Sequence, residues 1–250
     1  MLKLNEIHHG DCLELMRDIP DGSVDMILCD LPYGTTQNAW DSIIPLDELW
    51  PAYKRVLKPG GVVVLTATQP FSSLLVMSNI KWFKYEWIWK KSKVTGVLNA
   101  KIQPLRNHEV ALVFANGASA YHPQGLRDCN MQANTGHSKK GSSSNYGAIA
   151  TTETGTYTQT KTGYPTSVLS IPSAGDVEHP TQKPVFLFEY LIRTYTHPGE
   201  VVLDNCMGSG TTALAALNTG RQFIGIEQEG KYVQIGRKRI HDRQPFFLFA

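Results

Sequence analysis

Val201-Val202-Leu203-Asp204, then Gly208-Ser209-Gly210-Thr211-Thr212, then Phe223-Ile224-Gly225-Ile226-Glu227 follow one another as strand, glycine loop and strand. Between loop and second strand lies an Ala- and Leu-rich run stopped at Gly220, which reads as a helix with a glycine C-cap. Short apolar, β-branched runs that open on helices are buried parallel strands, so this stretch predicts a βαβ unit and an α/β fold with a mostly parallel sheet covered by helices. The Gly-x-Gly at the helix start lets a ligand approach the backbone and offers free N–H groups to it, and an acid at the end of the next strand is placed to grip ribose hydroxyls. Glu227 lies 23 residues beyond Asp204, near the spacing of about 20 that this arrangement uses. No Walker lysine follows the glycines. A tight turn without a ligand remains the competing reading.

Working outward, Pro184–Tyr195 reads as a helix with Phe188, Leu191, Ile192 and Tyr195 on one face. Residues 5–9 and Ser23–Cys29 read as strands, Leu46–Leu57 as a helix closed by Lys58-Pro59-Gly60-Gly61, and Val62–Leu65, Tyr85–Lys90 and Val110–Ala115 as further strands. Arg237-Lys238-Arg239 suit the end of a last helix. Phe246-Phe247-Leu248-Phe249 is too apolar for a free tail and should pack on the core or on a second subunit. The Ser23–Cys29 strand runs straight into Asp30-Leu31-Pro32-Tyr33, and open α/β sheets bind ligands at the carboxyl ends of their strands. An acid, a rigid turn and an aromatic platform could hold a planar amino group on a nucleobase; a plain turn is the alternative.

Residues 116–167 differ in character: 29 of 52 are Gly, Ser, Thr, Asn or Gln, and apolar periodicity vanishes. A structureless loop of that length is unusual in a compact domain and reads as a functional insertion. Charge marks the same region. The net charge of the 250 residues is only +2, but residues 81–161 carry eleven Lys/Arg against four acids. A basic middle on a slightly acidic body suits a polyanion partner. The composition, 42% hydrophobic and 18% charged, excludes wholesale disorder. No apolar run approaches the ~20 residues of a membrane helix, and the N-terminus lacks the apolar stretch of a signal peptide. Cys12, Cys29, Cys129 and Cys206 lie far apart in sequence without a C-x-x-C pair, which speaks against zinc and disulfides and for a reducing cytoplasm. His8-His9 and His108 lack ligand spacing.

Four motifs in one order resemble the S-adenosylmethionine (SAM)-dependent amino-methyltransferases of DNA. Asp30-Leu31-Pro32-Tyr33 is similar to the catalytic [DNS]-P-P-[YFW] motif. Asp204 to Thr212 resembles D-P-F-x-G-S-G-T-T, His179-Pro180-Thr181-Gln182-Lys183-Pro184 resembles H-P-x-x-K-P, and Gly10-Asp11-Cys12 resembles a cofactor-side motif. Catalytic motif, polar insertion, then glycine loop is the order of the β class, in which the insertion recognises the target. The resemblance implies a Rossmann-like class I methyltransferase sheet, mostly parallel with helices on both faces. Residues 1–115 would form the catalytic part, 116–170 the target-recognition insertion and 171–250 the SAM-binding part. Leu31 replaces a proline whose backbone carbonyl the family uses, and Asn205-Cys206 replace Pro-Phe.

By this resemblance Asp30 and the Leu31 carbonyl accept hydrogen bonds from the target amine, Pro32 stiffens the turn, and Tyr33 stacks on a base flipped from the duplex. Asp11 (with Cys12 beside it) contacts the adenine of SAM or merely caps a helix. Glu227 holds the ribose. Gly208, Ser209, Gly210 and Thr211 line the methionine end, Asp204 and Thr212 also bind the cofactor, and Lys183 pairs its carboxylate or is an ordinary surface lysine. Trp40 belongs to a loop closing on DNA or to the core, and Lys139 and Lys140 contact DNA. The expected activity is N6-adenine methylation of double-stranded DNA, with N4-cytosine methylation or a silent DNA- or SAM-binding module as alternatives. Asp rather than Ser at position 30 favours adenine. C5-cytosine chemistry needs a Pro-Cys pair, which is absent. A homodimer, a cognate restriction enzyme and a nucleoid-associated cytoplasmic location are family expectations; a metal is not expected.

Overall fold

A computed structural model describes residues 1–34, 42–134, 156–175 and 182–243. In chain order the elements are β1 (Glu6–His9), α1 (Cys12–Leu15), β2 (Val24–Cys29), α2 (Leu46–Val56), β3 (Leu57–Ala67), α3 (Phe71–Ser78), β4 (Phe83–Thr95) and β5 (Arg106–Phe114). There follow β6 (Arg127–Asn134), β7 (Thr156–Thr162), β8 (Val168–Ser170), α4 (Val185–Tyr195), β9 (Val201–Asp204), α5 (Thr211–Asn218), β10 (Gln222–Glu227) and α6 (Gly230–His241).

Eight of these strands form one sheet in the order β1-β10-β9-β2-β3-β5-β4-β8. Neighbours from β1 to β3 are parallel, and β5 runs antiparallel to both β3 and β4. Alternation along each strand divides the interior in two. Met26, Leu28, Val62 and Val64 meet Phe188, Leu191, Ile192 and Tyr195 of α4, the small Ala213, Ala215 and Ala216 of α5, and Val233 of α6. Ile27, Cys29, Val63 and Leu65 meet Leu49, Tyr53 and Val56 of α2 and Phe71 and Leu75 of α3. Both faces are therefore covered, as near-continuous apolar strands require. The α4 face is the one the sequence spacing gives. Gly210 and Gly236 let α5 and α6 touch: a Cβ on Gly210 would lie 3.1 Å from the Gly236 Cα, and Gly210 also holds φ +86°. Gly220 adopts φ +74° beyond α5, the left-handed geometry of a helix stop.

The elements read from sequence are present, with Lys58-Pro59-Gly60-Gly61 absorbed into the start of β3. Helix α3, strand β8 and the pair β6–β7 are additions. Residues Pro123–Pro165 form a second compact unit, in which β6 and β7 pair antiparallel, Gln132 opposite Thr158. β7 is polar and Thr-rich, and β6 offers only Cys129, Met131 and Ala133 as an alternating set, too faint a pattern to mark the pair in advance. No helix among the described residues is long and apolar enough to cross a membrane. The Phe246–Phe249 tail lies outside the described residues.

Candidate active site at the carboxyl edge of the sheet

Four consecutive parallel strands, β1, β10, β9 and β2, each deliver an acid to the same edge: Asp11, Glu227, Asp204 and Asp30. All four line one cavity of about 330 Å³, together with Cys12, Leu31, Pro32, Tyr33, Lys183, Gly208, Ser209, Thr211 and Thr212. Thirteen of the fourteen residues expected from sequence to catalyse or to bind cofactor thus share one site. Gly210 does not line it; its role is the close approach of α5 to α6. Trp40, Lys139, Lys140 and His179-Pro180-Thr181 lie outside the described residues.

At one end of the cavity, Asp30 Oδ1 accepts hydrogen bonds from Tyr33 Oη at 2.6 Å and from Thr66 Oγ1. Its Oδ2 is paired with Lys183 Nζ at 2.6 Å. That ammonium also lies 3.4 Å from Glu109 Oε2 and 5.7 Å from the centre of the Tyr33 ring. Lys91 Nζ closes the row on Glu109 Oε1 at 3.0 Å. Burial acts to lower the Lys183 pKa, but the charges of Asp30 and Glu109 outweigh it and hold the ammonium well above the ordinary lysine range. Burial and the Asp30 carboxylate push the Tyr33 phenol up as well, so at neutral pH it donates to Asp30 as a hydroxyl. The resemblance assigns Lys183 to a methionine carboxylate; the structure already gives its charge two carboxylate partners. Thr66, Glu109 and Lys91 escape a motif search, since their one signal is a polar or charged residue inside an otherwise strand-like run.

At the other end, Glu227 is 8% exposed, and its two oxygens each accept a main-chain N–H, from Gly208 at 2.6 Å and Glu229 at 2.8 Å. The carboxylate thereby fixes the glycine loop, and burial pushes its pKa up. The loop is held besides by Arg239, which donates to Ser209 O at 2.5 Å, while Arg237 donates to Ile7 O. These arginines tie the last helix to the site, beyond complementing its dipole. Asp11 Oδ1 accepts from Leu13 N and Glu14 N, so it caps α1 as well as lining the cavity. Three cysteines separated in sequence gather below: burial pushes Cys29 up to about 12, with hydrogen bonding to Cys206 opposing it, and Cys12 and Cys206 interact in turn. No group among the described residues could hold a metal ion.

Asp204 is 2% exposed. Its Oδ2 accepts from Thr212 Oγ1 and its Oδ1 from Cys206 N at 3.0 Å. Burial pushes its carboxyl up from 3.8 to about 6, against the pull of those bonds. The stability this group contributes is therefore complete below 3.8 and is lost as pH rises through about 6. Asp204→Asn preserves the shape and removes the titration. Relative to wild type it should gain about 2.5 kcal/mol between pH 4 and pH 8, since each pKa unit is worth about 1.4 kcal/mol and the unfolded group is already partly ionised at pH 4. Urea unfolding at the two pH values measures this; parallel stability curves would contradict it.

An open α/β sheet with its ligand cavity at the carboxyl edge, and a nucleotide-style glycine loop beside an Asp-Leu-Pro-Tyr turn, is a class I methyltransferase fold. The comparisons agree. A family model described as DNA methylase, covering N6 and N4 methyltransferases, matches residues 24–238, and the chain belongs to that family. It is 30% identical over 251 aligned positions to the DNA adenine methyltransferase YhdJ of Escherichia coli (strain K12), covering 94% of this chain and 82% of that protein. It is 30% identical to the putative methylase YubD of the same strain, covering 92% and 88%. The structure of an M1.HpyAVI–SAM complex superimposes with TM-score 0.63 at 26% identity, covering 94% and 98%. PvuII DNA methyltransferase, cytosine-N4-specific, shares the fold with TM-score 0.68 at 17% identity, covering 97% and 87%.

Proposed function

We propose that this protein transfers a methyl group from SAM to the exocyclic N6 amine of adenine in double-stranded DNA. The observation that carries the reading is the Asp30 cluster opening into the same cavity as the glycine loop and Glu227. The cavity chemistry fits SAM. Four carboxylates and one lysine line it, which favours a ligand bearing sulfonium and ammonium charges. Glu227 has acceptor capacity left for ribose hydroxyls, and Asp11 stands at the edge where an adenine amine would be met. A volume of about 330 Å³ is within the ordinary range for such ligands. When bound, SAM supplies an electrophilic methyl group on sulfur.

The chain supplies orientation and charge. Asp30, held by three donors, keeps lone pairs for an N–H of the target amine and takes up the proton that the amine sheds as it is methylated. Tyr33 and Thr66 fix the carboxylate beforehand, so little reorganisation accompanies the reaction. Leu31 contributes its carbonyl beside Asp30, and Pro32 stiffens the turn between them and Tyr33. A base in a duplex must be extruded to reach this edge, with Tyr33 as its stacking face. Residues 116–170, with Lys139 and Lys140, act as the target-recognition insertion, and Trp40 contacts the target. Asp at position 30 and the name of YhdJ favour adenine over cytosine.

Labelled SAM and unmethylated genomic duplex DNA, followed by nucleoside mass spectrometry, test the reading. N6-methyladenine is the expected product. N4-methylcytosine would keep the amine chemistry and move the target to cytosine. Intact SAM binding with no modified base would refute a DNA substrate.

A further inference from the structure

Resting on that reading, we infer that the end of the β4–β5 hairpin, residues 91–106, is an arm that lies on duplex DNA. Strand β8 pairs with β4 only at Ile88–Lys90. Beyond that, β4 and β5 continue as a two-stranded ribbon that pairs again at Thr95 opposite Arg106 and turns through Gly96 at φ +88°. A ribbon of two strands is narrow enough to enter a major groove.

Its surface is what an ordinary sheet end lacks. Leu98 is 101% exposed, Ile102 81% and Val97 65%, a run of large apolar side chains at a tip where water would normally meet polar residues. Lys90, Lys93, Lys101 and Arg106 are exposed around them, and no acid occurs between Glu86 and Glu109. An apolar tip set in unopposed positive charge matches a phosphate-flanked stack of bases; a purely apolar partner would leave the cations stranded. The root of the ribbon is the catalytic centre itself. Lys91 does not face outward like its neighbours but pairs with Glu109, which meets Lys183, which holds Asp30. From Lys91 to Thr95, where the strand ends before the turn at Gly96, the chain runs four positions, roughly 13 Å of strand, less than one turn of B-form DNA. A duplex presenting its base to Asp30 therefore runs past this ribbon. Lys93, Lys101 and Arg106 meet phosphates, and Leu98 and Ile102 press on the stack as apolar wedges do.

The test is binding of the full chain, with SAM, to unmethylated genomic duplex fragments between 50 and 200 mM salt. Lys93→Ser with Lys101→Ser should lower the salt slope by about two, so wild type loses about tenfold more affinity than the variant across that range. Leu98→Ser with Ile102→Ser should keep the slope and weaken DNA binding at least about fivefold. All four side chains are exposed, so SAM affinity should stay at the wild-type value. An unchanged slope and affinity in both variants overturns the arm. A variant that also loses SAM affinity assigns the ribbon a structural role and overturns it as well. Wild type that binds no duplex at any salt sinks the functional reading itself, a different result from wild-type binding that the variants share.

Discussion

Asp30→Ala is expected to lower methyl transfer on the order of 10²–10⁴-fold, the usual worth of a positioned acid or base, while SAM still binds. The variant removes the acceptor of three hydrogen bonds, from Tyr33, Thr66 and Lys183. It does not touch Glu227, which holds the glycine loop from the far end of the cavity. Nor does it strand the lysine, because Glu109 remains 3.4 Å from Nζ. Single-turnover transfer and equilibrium SAM binding on the same preparation separate the two effects. Loss of SAM affinity along with activity would make Asp30 a structural residue.

Lys183→Met should act on stability as much as on activity. Lys183 is 6% exposed and sits between two carboxylates. Methionine of similar length leaves Asp30 and Glu109 facing each other without a cation, with Lys91 compensating only the far oxygen of Glu109. Breaking a buried pair by removing one partner typically costs 3–5 kcal/mol. The Asp30 side chain is 25% exposed, so water offsets part of this, and a loss of about 3 kcal/mol is expected. It should appear as a lower urea midpoint at unchanged slope. Transfer should fall too, since the carboxylate loses the charge that aims it. A variant as stable as wild type would mean that solvent already screens the pair.

What could be read in advance depended on whether a residue's reason for being there was local. Val201–Thr212 declares itself because buried strand, left-handed glycine and helix start follow within a dozen positions, each with its own residue preference. Asp30 is legible because Pro32 and Tyr33 stand beside it. Thr66, Lys91 and Glu109 are not, because what they do depends on strands brought together across the sheet: Glu109 faces Lys183, 74 positions away in sequence. The same holds for the cysteines. Cys12, Cys29 and Cys206 are far apart along the chain, yet the adjacency of β2 and β9 and the turn after β1 gather them. β6 and β7 were hidden for another reason: in β6 only Cys129, Met131 and Ala133 alternate with polar residues, and β7 is polar apart from Tyr157, so the period-two signal is faint.

The neighbouring parallel strands β2 and β9 come from opposite ends of the chain. Val201 N donates to Asp25 Oδ2 across 176 positions of sequence, and Asp30 meets Lys183 across 153. Everything from α2 to α4 is one loop closed by that seam, and the unit Pro123–Pro165 lies inside it. Closure entropy grows only logarithmically, so doubling such a loop adds about 0.6 kcal/mol. The insertion can be lengthened, shortened or exchanged at almost no thermodynamic penalty while the seam that builds the cavity stays the same. Such an architecture lets the middle of the chain change as a single continuous cassette of sequence without disturbing the strands that build the cavity.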